Sequence, residues 1–246
     1  MSALTKGFRI LEATAHHGDG LSFSEVVRET GLAKATVHRL LNELVELTAL
    51  TYDSSSRRYK GGLALASLGA AVTANYDIRR IARPILEKLH AETGYVTTLG
   101  VRNGKDGTYI DKIEPKDLIV RLHSEVGKSF PLHCTAMGKV LLAHADAATV
   151  SAVLRRRLEQ YTSNTITDTK KLRNELESVA ARGYAVDDEE ITRGLTCVAA
   201  PIFDTAGQVN AAVSCTLSSF DATPELIASV AERVVAGAQQ ASGNFN

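Results

Sequence analysis

From Lys34 to Asn42 the chain reads Lys-Ala-Thr-Val-His-Arg-Leu-Leu-Asn, and helical spacing divides these side chains by chemistry. Val37, Leu40, Leu41 and Leu44 fall on one face, Ala35, Arg39, Asn42 and Glu46 on the opposite one, with Thr36 and His38 at its flanks. In the major groove of DNA, Arg pairs with O6 and N7 of guanine and Asn with N6 and N7 of adenine. Arg39 and Asn42 are therefore the expected base readers, with Lys34, Thr36 and His38 beside them. Glu43 and Glu46 repel phosphate, so only the first two turns should enter a groove. Arg57, Arg58 and Lys60 lie within four residues and form a second basic cluster, suited to the DNA backbone.

A different chemistry is expected further along. Cys134-Thr-Ala-Met-Gly138 opens a predicted helix, whose first backbone N–H groups and positive dipole end suit a small anion such as a carboxylate. Other motifs carry less. Gly127-Lys-Ser129 imitates the tail of a phosphate-binding loop, but that loop requires a glycine where Leu122 stands, so nucleotide binding is rejected. Asp187-Asp-Glu-Glu190 lacks the alternating spacing of a calcium loop and reads as a solvated acidic turn. His133, Cys134, Cys197 and Cys215 offer no close ligand pair beyond residues 133 and 134, so no metal and no cofactor is expected. Three widely spaced cysteines without a C-x-x-C motif also make no disulfide framework, and the thiols should be reduced and buried.

These groups need elements to position them. Leu4, Phe8, Leu11 and Ala15 recur at helical spacing up to the stop at Gly18-Asp-Gly20. Ser22 can cap a helix over Phe23 to Thr30, Gly31 breaks it, and a third helix runs from Lys34 to Leu47, giving a helix-turn-helix pattern. Leu50–Tyr52 and Arg58–Lys60 read as strands around the polar turn Asp53-Ser-Ser-Ser56, a wing. Leu63–Ala74 and Asp77–Thr93 read as a helical linker. Beyond Gly94 the spacing predicts strands at Tyr95–Val101, Thr108–Ile113 and Leu118–Leu122. Helices follow at Cys134–His144, Thr149–Gln160 and Thr169–Arg182, then strands at Tyr184–Val186, Cys197–Phe203 and Val209–Leu217, and a last helix from Thr223. The expected architecture is α+β: a winged helix-turn-helix over residues 1–61, a helical linker over 62–93, and a domain with a mixed or antiparallel sheet over 94–246.

Composition agrees with a two-domain globular chain. The 246 residues are 44% apolar and 23% charged, and no apolar run reaches the roughly 18 residues of a membrane span. The opening segment is polar and periodic, unlike a leader, so the cytoplasm is the expected location and no membrane partner is expected. Lys plus Arg equals Asp plus Glu at 28 each, yet residues 1–75 carry 8 basic and 7 acidic side chains while residues 91–246 carry 16 and 19. The total is uninformative because local clustering is what DNA meets.

The run Ser24-Glu-Val-Val-Arg-Glu-Thr-Gly-Leu-Ala-Lys-Ala-Thr-Val-His-Arg-Leu-Leu41 resembles the winged helix-turn-helix of the IclR family of bacterial transcription regulators. Leu132-His-Cys-Thr-Ala-Met-Gly-Lys-Val-Leu-Leu142 is similar to that family's effector-domain loop and helix. Arg182 to Ile202 with Val209 to Ser214 resembles its C-terminal signature, so the likeness spans about residues 4–240 in order. The resemblance implies a GAF-like effector domain behind a DNA-binding module, assembled as a homodimer or a dimer of dimers. It also implies a pocket in which Ala136 and Met137 supply amides, Asp187, Cys197 and Ser214 polar contacts, and Ile119, Leu122 and Phe130 an apolar wall. Thr216 stands where serine is often found. The expected function is a non-enzymatic, sequence-specific regulator that binds an operator in double-stranded DNA and responds to a small organic acid, either a 2-oxo acid or a compact aromatic carboxylate. Asp187 should disfavour a second carboxylate on that acid. Two other readings of the sequence are a thiol-dependent enzyme using Cys134 or Cys197 tethered to a DNA-binding module, and an architectural DNA-binding protein without ligand. The Ala-rich segment Leu63–Ala74 is the expected pairing surface of the oligomer.

Overall fold

The structure, a computed structural model, describes residues 1–15, 17–74, 77–115 and 124–244. It divides into two compact units, Met1–Tyr76 and Asp77–Asn246. Among the described residues no helix is long and apolar enough to cross a membrane.

The first unit contains α1 (Ala3–Ala15), β1 (Leu21–Ser22), α2 (Phe23–Thr30), α3 (Lys34–Glu46), β2 (Leu50–Asp53), β3 (Arg58–Gly61) and α4 (Leu63–Ala74). Ser22 starts α2 through a capping box: its hydroxyl accepts from Glu25 N at 3.4 Å, and its own N–H donates to the Glu25 carboxylate at 2.8 Å. Gly31 ends the helix at φ 62°, in the left-handed region where a side chain is strained. Ile10, Leu21, Val26, Val37, Leu40, Leu41, Leu44 and Leu50 form one apolar core, which fixes α3 across α1 and α2 and leaves its other face in solvent. The strands form a small antiparallel sheet in the order β1-β3-β2. The apolar positions that mark α1 in the sequence are not the ones it buries: Leu4 and Phe8 are 72% and 58% exposed, and the buried residues are Ile10 and Thr14.

The second unit contains α5 (Asp77–Thr93), β4 (Val96–Asn103), β5 (Asp106–Ile113), β6 (Ser129–Pro131), α6 (Ala136–Ala143), α7 (Ala147–Leu154), α8 (Thr169–Arg182), β7 (Ala185–Asp188), β8 (Leu195–Phe203), β9 (Val209–Ser218) and α9 (Pro224–Gly243). Among the described residues its six strands pair antiparallel throughout in the order β6-β5-β4-β9-β8-β7. Strand alternation gives the sheet two buried faces. Leu99, Val198, Val213 and Cys215 pack with α5 and α9, while Tyr109, Ala199 and Ala212 pack with α6 and α8.

The structure therefore divides the expected 62–93 linker. Leu63–Ala74 belongs to the first unit, whereas Asp77–Thr93 lies in the core of the second, because the stripe Ile78, Ala82, Ile85, Leu86 and Leu89 is apolar at helical spacing and packs on the sheet. The predicted strand at 118–122, and Ile119 and Leu122 with it, lies outside the described residues.

Candidate functional site

Two surfaces draw together the residues singled out by sequence. On α3, Lys34, His38, Arg39 and Asn42 are exposed and Thr36 is half-buried. Arg39 pairs with Glu43 one turn on. Such an exposed pair contributes only about 0.3–0.5 kcal/mol, so the guanidinium is available to a stronger acceptor. The imidazole of His38 meets Phe23 edge-on at 6.2 Å, which anchors one flank of the face. At the wing, Asp53 gathers the turn by accepting from Ser55 N at 2.9 Å and from the Ser55 and Ser56 hydroxyls at 2.6 and 2.7 Å; these bonds hold its carboxyl well below the usual range. The turn ends at Arg57, exposed and at φ 55°.

Arg58, also expected to contact phosphate, is half-buried and already partnered within the chain. Its Nη1 donates to Gly20 O at 2.6 Å and pairs with Glu25 at 3.2 Å, tying the wing to the start of α2. The physical reason is register: Arg58 pairs with Ser22 across β1 and β3, which brings its side chain beside the capping glutamate.

In the second unit the site is a cavity between the start of α6 and the α6-facing side of the sheet. Thr135 caps α6, accepting from Gly138 N at 3.0 Å and donating to Pro131 O at 2.9 Å. Only glycine fits at 138, since a Cβ there would lie 2.5 Å from Pro131 O. The amides of Ala136 and Met137, ahead of the first intrahelical acceptor, lack an intrahelical partner, and both residues line the cavity. The sheet supplies the facing wall. Register places Thr98 opposite Ser214, Cys197 opposite Thr216, and Asp187 opposite Cys197. The hydroxyls of Thr98 and Ser214 are 2.7 Å apart, and the Cys197 thiol is 3.3 Å from the Thr216 hydroxyl. The cavity, with its mouth open to solvent included, encloses about 470 Å³, which suits a compact ligand.

Six of the nine sequence-assigned residues meet here: Ala136, Met137, Asp187, Cys197, Ser214 and Thr216. Phe130 does not line the cavity. It packs 4.6 Å from the Tyr109 ring, over Gly107, where a Cβ would lie 2.1 Å from it. Tyr109 is the aromatic group that reaches the wall. Thr98, Thr135, Ser124, Ile191 and Thr192 also line it, and sequence reasoning did not find them. Thr98 sits in a predicted strand, but its role follows only from pairing with a residue 116 positions away.

The acidic run is not simply solvated. Asp187 and Glu190 are buried, and Glu190 forms an ion pair with buried Lys139. Burial pushes the Asp187 carboxyl up to about 7, against the Glu190 amide that favours its charged form. Burial likewise pushes the thiols of Cys134 and Cys197 far up, the reverse of the activation that a nucleophilic thiolate needs. Among the described residues no group of three His, Cys, Asp or Glu side chains is placed to hold a metal ion.

A winged helix-turn-helix joined to a sheet domain with a small cavity defines a DNA-binding regulator with a ligand-sized pocket. Residues 3–54 match the IclR helix-turn-helix domain and residues 70–243 match the Bacterial transcriptional regulator IclR C-terminal model. The chain is 33% identical over 241 residues to the HTH-type transcriptional regulator BhcR of Paracoccus denitrificans (strain Pd 1222), spanning 98% of this chain and 86% of that protein. It is 33% identical over 233 residues to the HTH-type transcriptional repressor AllR of Escherichia coli (strain K12), spanning 94% and 86%. Its fold also matches the crystal structure of an IclR homolog complexed with 4-hydroxybenzoate from Microbacterium hydrocarbonoxydans, with a TM-score of 0.85 at 24% identity over 99% of both chains. This chain belongs to the IclR family of bacterial transcription regulators.

Proposed function

We propose that the protein represses transcription by binding an operator as a symmetric homo-oligomer, and that a small monocarboxylic acid in the α6 cavity changes its affinity for DNA. The observation that carries this reading is the meeting of the α6 start with Ser214, Thr216 and Asp187 in one compact cavity. The Ala136 and Met137 amides receive the carboxylate, and the Ser214 and Thr216 hydroxyls donate to its second oxygen or to an adjacent carbonyl. A 2-oxo acid or a compact aromatic acid fits that donor set, and the 4-hydroxybenzoate held by the Microbacterium homolog supports the class.

On DNA, Arg39 and Asn42 read base edges, Lys34, Thr36 and His38 support them, and Arg57 contacts phosphate. Arg57 holds a backbone conformation that glycine adopts more easily, which favours a use for its exposed side chain. Self-association is supported by Leu4 and Phe8 on α1 and by Leu63 and Leu68 on α4, 82% and 64% exposed, apolar surface that the chain leaves uncovered. Two recognition helices in a symmetric pair read two half-sites. The regulator acts in the cytoplasm, where the chromosome is.

Sequencing the DNA retained by the purified protein, with and without glyoxylate or 4-hydroxybenzoate, tests the reading. A pseudo-palindromic site whose recovery changes with acid is expected. Recovery of unrelated sequences, or a monomer near 26.4 kDa by light scattering at micromolar concentration, contradicts it.

A further inference from the structure

The charges around the cavity do not balance in the way an anion site ordinarily requires. Lys139 is 2% exposed and already committed: its Nζ donates to Val186 O at 2.5 Å, forms an ion pair with Glu190, and has the Glu175 carboxylate at 3.8 Å. Glu190 is held in turn, its backbone carbonyl accepting from Thr165 Oγ1 at 2.6 Å. Asp187, 1% exposed, faces the cavity, and its Oδ1 accepts from Glu190 N at 2.7 Å. Among the described residues the cavity wall contains this carboxyl and no cation. Among the described residues the other titratable groups near Asp187 are Tyr109 from β5, Cys197 from β8 and Cys134 ahead of α6, and burial favours the neutral form of each. A carboxylate entering beside an ionised Asp187 would place two like charges against a buried carboxyl whose nearest ammonium among the described residues, Lys139, is already paired.

We propose that the acid enters this cavity together with one proton, taken from solvent and kept on Asp187, whose O–H then donates to the ligand's carboxylate, while the Lys139–Glu190 pair withholds the counter-charge that would otherwise keep Asp187 ionised. The inference rests on the acid-binding reading above and adds its proton stoichiometry. Asp187 is thus the specificity-determining group: neutral, it accepts a monoanion and donates to it; ionised, it repels it. A dianion would need a second neutralising group that the described wall lacks. The carboxyl is already poised near neutrality, so small changes in pH alter how much ligand is held. By linkage, affinity is level where Asp187 is protonated in the free protein and weakens about tenfold per pH unit above that range.

Titration calorimetry with glyoxylate and with 4-hydroxybenzoate at pH 8, each in Tris and in HEPES, measures the protons taken up from the difference in apparent heat. Close to one proton per bound acid is expected for the natural sequence, with Kd weakening about tenfold between pH 7.5 and 8.5. Asp187→Asn, which keeps the acceptor for Glu190 N, should bind with no uptake and a Kd level across that range. Binding by the natural protein with equal heats in the two buffers and a pH-independent Kd would overturn the proton-linked inference while leaving acid binding intact. Absence of binding by both acids from pH 6 to 8 would overturn the acid-binding reading, and this inference with it.

Discussion

The two units place their functional groups in opposite relation to their cores. In the first, Val37, Leu40, Leu41 and Leu44 hold α3 while Arg39 and Asn42 project from its far side, so the side chains proposed to read bases and those that fold are different residues. In the second, Thr98, Asp187 and Ser214 are 2%, 1% and 4% exposed and belong to the same sheet that makes the core. Function on the first unit is therefore separable from stability, whereas in the second a change in the cavity is also a change in the interior.

The sharpest contrast should come from Lys139→Ala, which leaves Glu190 buried without its cation. A loss of about 3–5 kcal/mol in unfolding free energy is expected by denaturant titration. A change below 1 kcal/mol would break the claim that cavity and core are one system. Asp187→Asn should act in the opposite direction. The folded carboxyl, with a pKa near 7, keeps its proton above the ordinary value of 3.8, so the folded state binds the proton more tightly than the unfolded chain. Stability then falls as pH rises from about 4 to 7, and the full penalty is present above 7. The variant should gain about 1–4 kcal/mol at pH 8 and lose that advantage near pH 4. Thermal unfolding at both pH values checks the sign.

On the exposed side, Arg39→Ala and Asn42→Ala should each reduce base discrimination by about 1–3 kcal/mol and leave the melting temperature unchanged, while Arg57→Ala weakens binding to all sequences and reduces the salt slope by about one. Equal losses on every sequence for the α3 variants would sink the base-reading assignment. Arg58→Ala makes the smallest change, a stability loss of about 1 kcal/mol from the bonds to Gly20 and Glu25. A salt-slope change like that of Arg57→Ala, with no loss of stability, would return Arg58 to the DNA surface.

The same contrast explains what the sequence revealed. Ser22, Gly31 and the apolar stripe of α3 act within a few residues of one another, so local capping and periodicity mark α2, α3 and the reading face. The cavity instead depends on pairings between distant strands: Thr98 meets Ser214 only because β4 lies beside β9. The family resemblance implied Ser214, Thr216 and Asp187, which do line the cavity, and Phe130, whose ring packs over Gly107 instead. The three-residue strand β6 carries too short a pattern to register. Helix α7 ends at Leu154, six residues before its predicted end, ahead of the run Arg155-Arg-Arg157. Leu4 and Phe8 have core-like spacing because an apolar stripe looks the same in sequence whether its own chain covers it or leaves it exposed.

The central claim, that acid and DNA bind to one coupled system, is tested most directly by titrating the full chain with its selected operator at several fixed concentrations of the acid, and then titrating the acid at several concentrations of operator. The account predicts that acid shifts the operator Kd about 5- to 150-fold and that operator shifts the acid Kd by the same factor. An operator Kd that stays constant while the cavity is shown to be saturated with acid would contradict it.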